Sequence, residues 1–216
     1  KSFAFWDAAS SLKEKYRSQI RLGLLGQEIK MTLLEVKAYL EHAREKVEMG
    51  LDRALEPKGR IFSTYFENEV TRHKPLGNSY VKPLEFRQKA LPFFLEASVH
   101  ALKVEKDPEH RKEILKTVRE SALYDPKLSM YKVNAPLKEV SLEVGRSRIF
   151  TPGWLENESI WLHMEYKFLL EILKSGMTEE FFKDFKKTLI PFQPMERYGR
   201  AVGRDARDGA GALRRA

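Results

Sequence analysis

The chain has 216 residues, of which 42% are hydrophobic and 32% charged, and its 39 basic and 31 acidic side chains give a net charge of +8. This composition is ordinary for a folded globular protein and excludes wholesale disorder. The absence of cysteine excludes disulfides and thiolate chemistry, and no apolar run approaches the ~20 residues that a membrane-spanning helix needs.

Two helices are predicted at the start of the chain, from Phe3 to about Leu25 and from about Glu28 to Leu55. In the second, apolar residues recur close to the 3.6-residue period, and Lys and Glu fill most of the opposite face. Pro57 and Gly59 are typical of a helix end. Basic and acidic residues alternate here and elsewhere, which favours solvated helix faces over a patch that binds nucleic acid.

A short extended segment is predicted over residues 61–70, IFSTYFENEV, because it is rich in aromatic and β-branched residues. The turn-rich HKPLGNS follows it, and we expect an irregular connection between Pro83 and Pro92. A strand and an extended loop are both compatible with this pattern.

Helices resume at about Phe93–Val104 and Pro108–Glu120, with Asp107 as the N-cap of the second. Residues 121–150 contain turn signals and are predicted to form a long ordered loop. A further helix is predicted from Thr151–Pro152–Gly153 to about Lys174, closed by Ser175–Gly176, and the last one starts at Thr178. The sequence therefore predicts a mostly α fold with long loops.

The last 16 residues, AVGRDARDGAGALRRA, differ from the rest of the chain in composition. They contain no aromatic residue, no Lys and no Glu, and four Arg against two Asp give this segment a charge of +2. Residues 201–216 are interpreted as a flexible basic tail or as a segment not native to the fold, and we favour the second interpretation.

The segment from Thr151 to Leu173 carries the densest set of polar groups among apolar ones. On a helix, Glu156, His163 and Lys167 would share one face, surrounded by Trp and Leu side chains. Buried polar groups need partners or a ligand, and a helix N-terminus presents N–H groups to an anion. The alternative is that the histidine is structural and the glutamate only complements the helix dipole. The spacing does not match HExxH, so no metal site is predicted.

Four segments resemble one enzyme family: TPGWLENESIWLHMEYKFLLEILKSG, YDPKLSMYKVNAPL, EVGRSRIFTPG and LIPFQPMERYGR. They are similar to bacterial cellobiose-phosphorylase-like proteins, which are glycoside phosphorylases with an α/α-barrel catalytic domain. Glu156–Asn157 and Ile160 to His163 parallel the Glu-Asn-Gly-Gly-Ile-x-x-His segment of cellobiose phosphorylases. The resemblance implies a partial α/α-barrel, or α/α toroid, over residues 1–200. The chain contains fewer predicted helices than the six helical hairpins of that fold require, so we expect a fragment of the catalytic domain.

The resemblance also implies a reaction, the inverting phosphorolysis of a β-linked gluco-oligosaccharide. An aspartic acid protonates the glycosidic oxygen and inorganic phosphate, the co-substrate, attacks the anomeric carbon. No other cofactor is implied. Asp7, in Phe5–Trp6–Asp7, is the candidate acid. His163 corresponds to a histidine at the phosphate end of the site, and Glu156 and Asn157 would orient sugar hydroxyls.

Four more residues are candidates for contacts with the substrate. Trp154 can stack on a sugar ring, and Arg148, in a basic loop, can contact phosphate. Tyr65 and Glu67 suit the rim of a sugar-binding site, although exposed carboxylates on a β-bridge explain this cluster equally well.

Two other function classes stay open at this point. A glycoside hydrolase, or a non-catalytic relative, of the same fold would need a second carboxylate to activate water, for which Glu156 or Glu158 is available. A helical module that binds nucleic acid through the +8 charge is the other alternative. If the chain is a phosphorylase, we expect a cytoplasmic protein whose partners are an oligosaccharide and phosphate. Nucleic acid and membranes are not expected as partners. Uncovered apolar helix faces of an incomplete barrel would also favour homo-oligomers.

Overall fold

The structure is a computed structural model that describes residues 3–24, 26, 28–55, 61–189 and 192. About 52% of the described residues are helical, so the prediction of a mostly α protein is confirmed. The helices are α1 Phe3–Ile20, α2 Leu33–Ala54, α3 Leu95–Val104, α4 Pro108–Glu120, α5 Arg146–Ile149, α6 Leu162–Lys174 and α7 Thr178–Thr188, and a 3₁₀ helix spans Leu142–Val144. The strands are β1 Phe66–Gly77, β2 Tyr80–Ala90, β3 Tyr124–Asp125 and β4 Met130–Tyr131.

The chain divides into two compact units. The first comprises the described residues of Lys1–Arg53 and Tyr65–Leu91, and the second those of Ala54–Thr64 and Pro92–Ala216. The tail over 201–216 and most of the motif LIPFQPMERYGR lie outside the described residues. None of the described helices has the combination of length and apolarity that crossing a membrane requires.

The first unit contains an antiparallel hairpin of β1 and β2, with Phe66 opposite Ala90 and Gly77 opposite Tyr80. Asn78 and Ser79 form its turn with φ values of 49° and 63°, and two positive φ angles at these positions match the right-handed twist of a hairpin. The expectation of extended backbone is therefore confirmed from Phe66 onwards.

The irregular connection expected between Pro83 and Pro92 is wrong, because most of it belongs to β2. Pro83 lies opposite His73, next to a shift in the register of the ladder. Proline lacks the N–H that a central strand must donate, but both strands of a two-stranded sheet are edges, so the missing donor costs little. Phe3 and Trp6 of α1 contact the ring of Phe86 edge-on, with centroid distances of 6.2 Å in both cases.

The second unit holds the hydrophobic core, which α3, α4 and α6 build around the β3–β4 turn. The ring of Tyr131 packs edge-on against Phe168, with the centroids 4.8 Å apart, and both residues are fully buried. The other core side chains with at most 1% exposure are aliphatic: Leu95, Leu102, Ile114, Val118, Leu123, Leu137, Leu169 and Ile172.

Asp107 caps α4 as the sequence predicts, and we expect its loss to destabilise the second unit. Its carboxylate accepts hydrogen bonds from the backbone N–H groups of Glu109 (2.8 Å) and His110 (3.3 Å), with Pro108 at the first helical position. Asp107→Ala leaves these donors to water and should lower the free energy of unfolding by about 1 kcal/mol, measured by urea denaturation. Asp107→Asn keeps the acceptor and should stay close to the parent chain. Equal losses in both variants would contradict the capping role.

Candidate functional site

Residues 151–161, which include the predicted site residues Trp154, Glu156 and Asn157, form a series of turns. We call them the 151–161 turn segment. The prediction that this stretch belongs to a helix running from Thr151 is wrong, because α6 begins only at Leu162. Gly153, Leu155 and Glu158 have φ values of 89°, 45° and 55°, and such left-handed backbone cannot continue a right-handed helix. The helical face expected for Glu156 and His163 therefore does not exist.

Hydrogen bonds to neighbouring loops hold the turn segment in place. The Asn157 side-chain amide donates to the carbonyl of Phe150 at 2.7 Å. The backbone N–H of Glu158 donates to the side-chain oxygen of the fully buried Asn134, also at 2.7 Å. The Lys132 ammonium donates a hydrogen bond to the Glu158 carboxylate at 3.0 Å. The segment is thus fixed through both its backbone and its side chains.

Two oxygen atoms within the segment are buried and have no hydrogen-bond donor among the described residues. They are Oε2 of Glu156 and Oδ1 of Asn157. Leaving a buried acceptor unpaired costs about 1–3 kcal/mol, so each oxygen would be stabilised by a further donor. Trp154 is 60% exposed although its ring contacts Phe150 edge-on at 5.4 Å. An exposed indole in the same segment as oxygen acceptors is a combination that suits the apolar face and hydroxyl groups of a sugar.

Basic side chains flank the turn segment along the chain. Arg146, on α5, reaches Oε1 of Glu156 at 3.4 Å. Arg148, on the same short helix, donates through Nε to the carbonyl of Val140 at 3.0 Å. His163 is exposed at the start of α6, with its ring centroid 5.3 Å from that of Trp161. Of the predicted residues, Trp154, Glu156 and Asn157 therefore lie in one segment, and Arg148 and His163 lie on the helices before and after it.

The other three predicted residues belong to the first unit. Asp7 is exposed on α1, directly after Trp6. Tyr65 precedes β1 and is 46% exposed, and Glu67 lies opposite Lys89 on the ladder with a carboxylate–ammonium distance of 3.5 Å. Glu67 is thus a half-buried carboxylate paired across the β-ladder.

A buried polar network in the second unit escaped the sequence reasoning. The hydroxyl of Tyr131 donates to Oδ2 of Asp184 at 2.5 Å, and Arg119 donates to the same carboxylate oxygen at 2.8 Å and to the Tyr131 hydroxyl at 3.2 Å. Arg119 also pairs with Glu180. Burial is the largest influence on the Tyr131 phenol and raises its pKa above the usual range, and the Asp184 charge acts in the same direction.

Glu165, on α6, is fully buried and joins this network through a hydrogen bond with Tyr131. Its Oε1 accepts a hydrogen bond from the backbone N–H of Tyr131 at 2.8 Å, and its Oε2 has no partner among the described residues. Burial raises the pKa of Glu165 to about 8; the hydrogen bond from Tyr131 opposes this rise and the charge of Asp184 adds to it. The available signal in the sequence was that Glu165 stands three, four and seven positions before Phe168, Leu169 and Ile172, so it shares a helical face with them.

A cleft of about 690 Å³ lies between α4 and α7, next to the outer end of the network. Its charged lining is mixed, with three cations and three carboxylates. These are Lys112, Lys116, Arg119, Glu120, Glu179 and Glu180. Because the charges balance, the cleft has no clear preference for an anionic or a cationic ligand.

Within the part of the chain that the structure describes, no group of three or more His, Asp or Glu side chains is placed to hold a metal ion. No family model, curated protein or solved structure matches this chain.

Proposed function

We propose that this chain is part of a carbohydrate-active enzyme of the glycoside phosphorylase type, with an α/α-barrel fold, that acts on β-linked gluco-oligosaccharides. The observation that carries the proposal is that the turn segment combines two buried oxygens without a donor among the described residues, Glu156 Oε2 and Asn157 Oδ1, with the exposed ring of Trp154. It supports the proposal because a sugar offers hydroxyl donors for the oxygens and an apolar ring face for the indole.

In the proposed reaction, an oxygen of inorganic phosphate forms a bond to the anomeric carbon while the bond from that carbon to the glycosidic oxygen breaks. The electron pair of that bond goes to the glycosidic oxygen, which takes a proton from a carboxylic acid. The products are a sugar 1-phosphate and a shortened oligosaccharide. Phosphate arrives already charged, so no base is needed to activate the nucleophile.

Arg148 and His163 are the proposed phosphate-binding residues. Arg148 keeps guanidinium N–H groups beyond the one that donates to the Val140 carbonyl. His163 is exposed, and its ring is placed by contact with Trp161. Arginine and histidine are suitable donors to a phosphate oxygen, and they stabilise the charge that accumulates there in the transition state.

Binding of cellobiose to the full chain tests the sugar part of the proposal. Trp154→Ala should weaken binding at least about tenfold, because it removes the stacking surface. Tyr166→Ala is the matched control, since Tyr166 is an exposed aromatic residue on α6 outside the turn segment, and it should bind as the parent chain does. Isothermal titration calorimetry measures both. Equal affinities of the parent chain and Trp154→Ala would contradict the proposal.

Product analysis separates phosphorolysis from hydrolysis. Incubation with cello-oligosaccharides should release glucose 1-phosphate only when inorganic phosphate is present. Phosphate-independent release of glucose would instead favour the hydrolase. The existing ion pair of Glu158 with Lys132, at 3.0 Å, makes that residue a poor candidate for the base that a hydrolase needs.

A further inference from the structure

Helix α2 repeats its apolar residues every seven positions, with two apolar positions per repeat. The repeat places Leu33, Leu40, Val47 and Ala54 at the first position, and Val36, Ala43 and Gly50 at the fourth. We call these seven residues the α2 seam. A spacing of alternately three and four residues produces a narrow stripe on one side of the helix, the pattern by which one helix packs along another.

Five of the seven residues of the α2 seam are exposed in the described structure, and Ala43 and Ala54 are half-buried. Leu33 is 88% exposed, Leu40 59% and Val47 61%, and no residue of the helix is buried. A row of large apolar side chains in water is unfavourable at about 25 cal/mol per Å² of apolar surface. An apolar face of this size is typical of a surface that another protein segment covers.

The two positions of the repeat differ systematically in size. The first carries Leu33, Leu40, Val47 and Ala54, whereas the fourth carries a smaller residue in each repeat, Val36, Ala43 and Gly50. Small residues let a second helix approach closely and leave space for its larger side chains. A partner helix with large residues along its own seam therefore complements α2 better than a flat apolar surface does.

The charges beside the α2 seam are all positive. Lys37 and Arg44 border one side of it, and Lys46 and Arg53 border the other. The five acidic residues of the helix lie away from the seam: Glu35, Glu41, Glu45, Glu48 and Asp52. Two of the bordering cations make long ion pairs on their own helix, Lys37 with Glu41 at 3.8 Å and Arg44 with Glu48 at 3.5 Å. Such exposed pairs are weak and exchange readily for a new partner.

From this arrangement we infer that α2 is a docking surface for a second amphipathic helix whose apolar seam is bordered by carboxylates. The apolar seam supplies contact area, and the four bordering cations select the charge of the partner. Pairing with α2 of a second copy is unfavourable, because the bordering positions of a second α2 supply no carboxylate to pair with these cations in either a parallel or an antiparallel arrangement. A membrane surface is also disfavoured, since the seam is narrow and contains Ala43 and Gly50 in place of bulky residues.

Two synthetic 21-residue peptides test this inference on the full chain by fluorescence anisotropy. Both carry Leu at the seam positions, and the bordering positions hold Glu in one peptide and Lys in the other. The Glu peptide should bind at least tenfold more tightly than the Lys peptide. Combined Lys37→Glu, Arg44→Glu, Lys46→Glu and Arg53→Glu should reverse this preference, whereas Glu45→Lys with Asp52→Lys, on the far side of the helix, should leave it unchanged.

The apolar contact has its own variant, Leu40→Asn with Val47→Asn, which should abolish binding of both peptides. Both residues are exposed, so circular dichroism should show the parent helix content. Equal affinity for the two peptides would overturn the inference. It would also be overturned by a dimer in sedimentation analysis that Leu40→Asn with Val47→Asn dissociates, or by binding to anionic phospholipid vesicles in preference to the Glu peptide.

Discussion

Replacing Glu165 by glutamine should make the protein more stable than the parent chain above pH 8 and leave its stability nearly unchanged near pH 4. Glu165 is fully buried, and burial raises its pKa to about 8 from a usual value of 4.5. The folded chain therefore holds a proton on this carboxyl over a pH range in which the unfolded chain has lost it. Glutamine keeps an oxygen for the Tyr131 N–H and never has to ionise.

The sign of the effect follows from the direction of the pKa change. A group with a raised pKa in the folded chain contributes its full stability below pH 4.5 and loses it progressively as the pH rises to about 8. The difference between the two pKa values corresponds to about 5 kcal/mol in the free energy of unfolding. Asp184 and Arg119, the charged groups of the network beside it, stay present in both chains, so the comparison isolates the one carboxyl.

Urea denaturation of both chains between pH 4 and 9 measures this prediction. The parent chain should lose stability steadily between pH 5 and 8 relative to Glu165→Gln. Glu139→Gln is the matched control, because Glu139 is an exposed glutamate of the same unit, and its curve should run parallel to that of the parent. If the stability of Glu165→Gln changed with pH in the same way as that of the parent chain over this range, Glu165 would not hold a proton in the folded chain.

Replacing Arg119 by methionine should lower the free energy of unfolding by about 3–5 kcal/mol, the usual cost of removing one partner from a buried ion pair. Arg119 donates to Asp184, which is only 3% exposed, and to the buried hydroxyl of Tyr131. Methionine fills much of the same volume but leaves the Asp184 carboxylate buried with the Tyr131 hydroxyl as its remaining donor. Urea denaturation at pH 7 measures the loss.

A double-mutant cycle with Asp184→Asn shows whether this loss comes from the stranded charge. The double variant carries no buried charge at this point, so it should be destabilised by less than the sum of the two single variants. Arg87→Met serves as the control, because Arg87 pairs with Glu69 on the exposed hairpin, and it should change stability little. Additive effects of Arg119→Met and Asp184→Asn would contradict a direct coupling.

The sequence predicted the helices best where local signals agree with each other. Helix α4 runs from Pro108 to Glu120 as expected, because Asp107 caps it, Pro108 fits its first position and an apolar stripe continues behind them. Ser175 and Gly176 likewise end α6, with Gly176 at a φ of 80°. These features depend on residues a few positions apart, so one sequence is enough to identify them.

The sequence was enough to propose Trp154, Glu156 and Asn157 as candidates in one segment, but the geometry of that segment was not predictable. Thr151–Pro152–Gly153 is typical of a helix start, yet the segment continues through turns with left-handed backbone at Leu155 and Glu158. What stabilises these turns is contact with other loops, above all the hydrogen bond from Glu158 to Asn134. A hydrogen bond between residues 24 positions apart produces no periodic sequence pattern from which it could be predicted.

By itself, the sequence determined the mostly helical character of the protein, the cap of α4, the end of α6 and the segment in which the polar candidates lie. Each of these depends on short-range chemistry, namely the hydrogen-bonding capacity of a side chain, the freedom of glycine or the period of an apolar stripe. Only the tertiary structure decided that Arg119, Tyr131, Glu165 and Asp184 meet, and that most of the α2 seam lies exposed. Burial and long-range pairing depend on which distant segments pack together, and that information is spread over the whole chain.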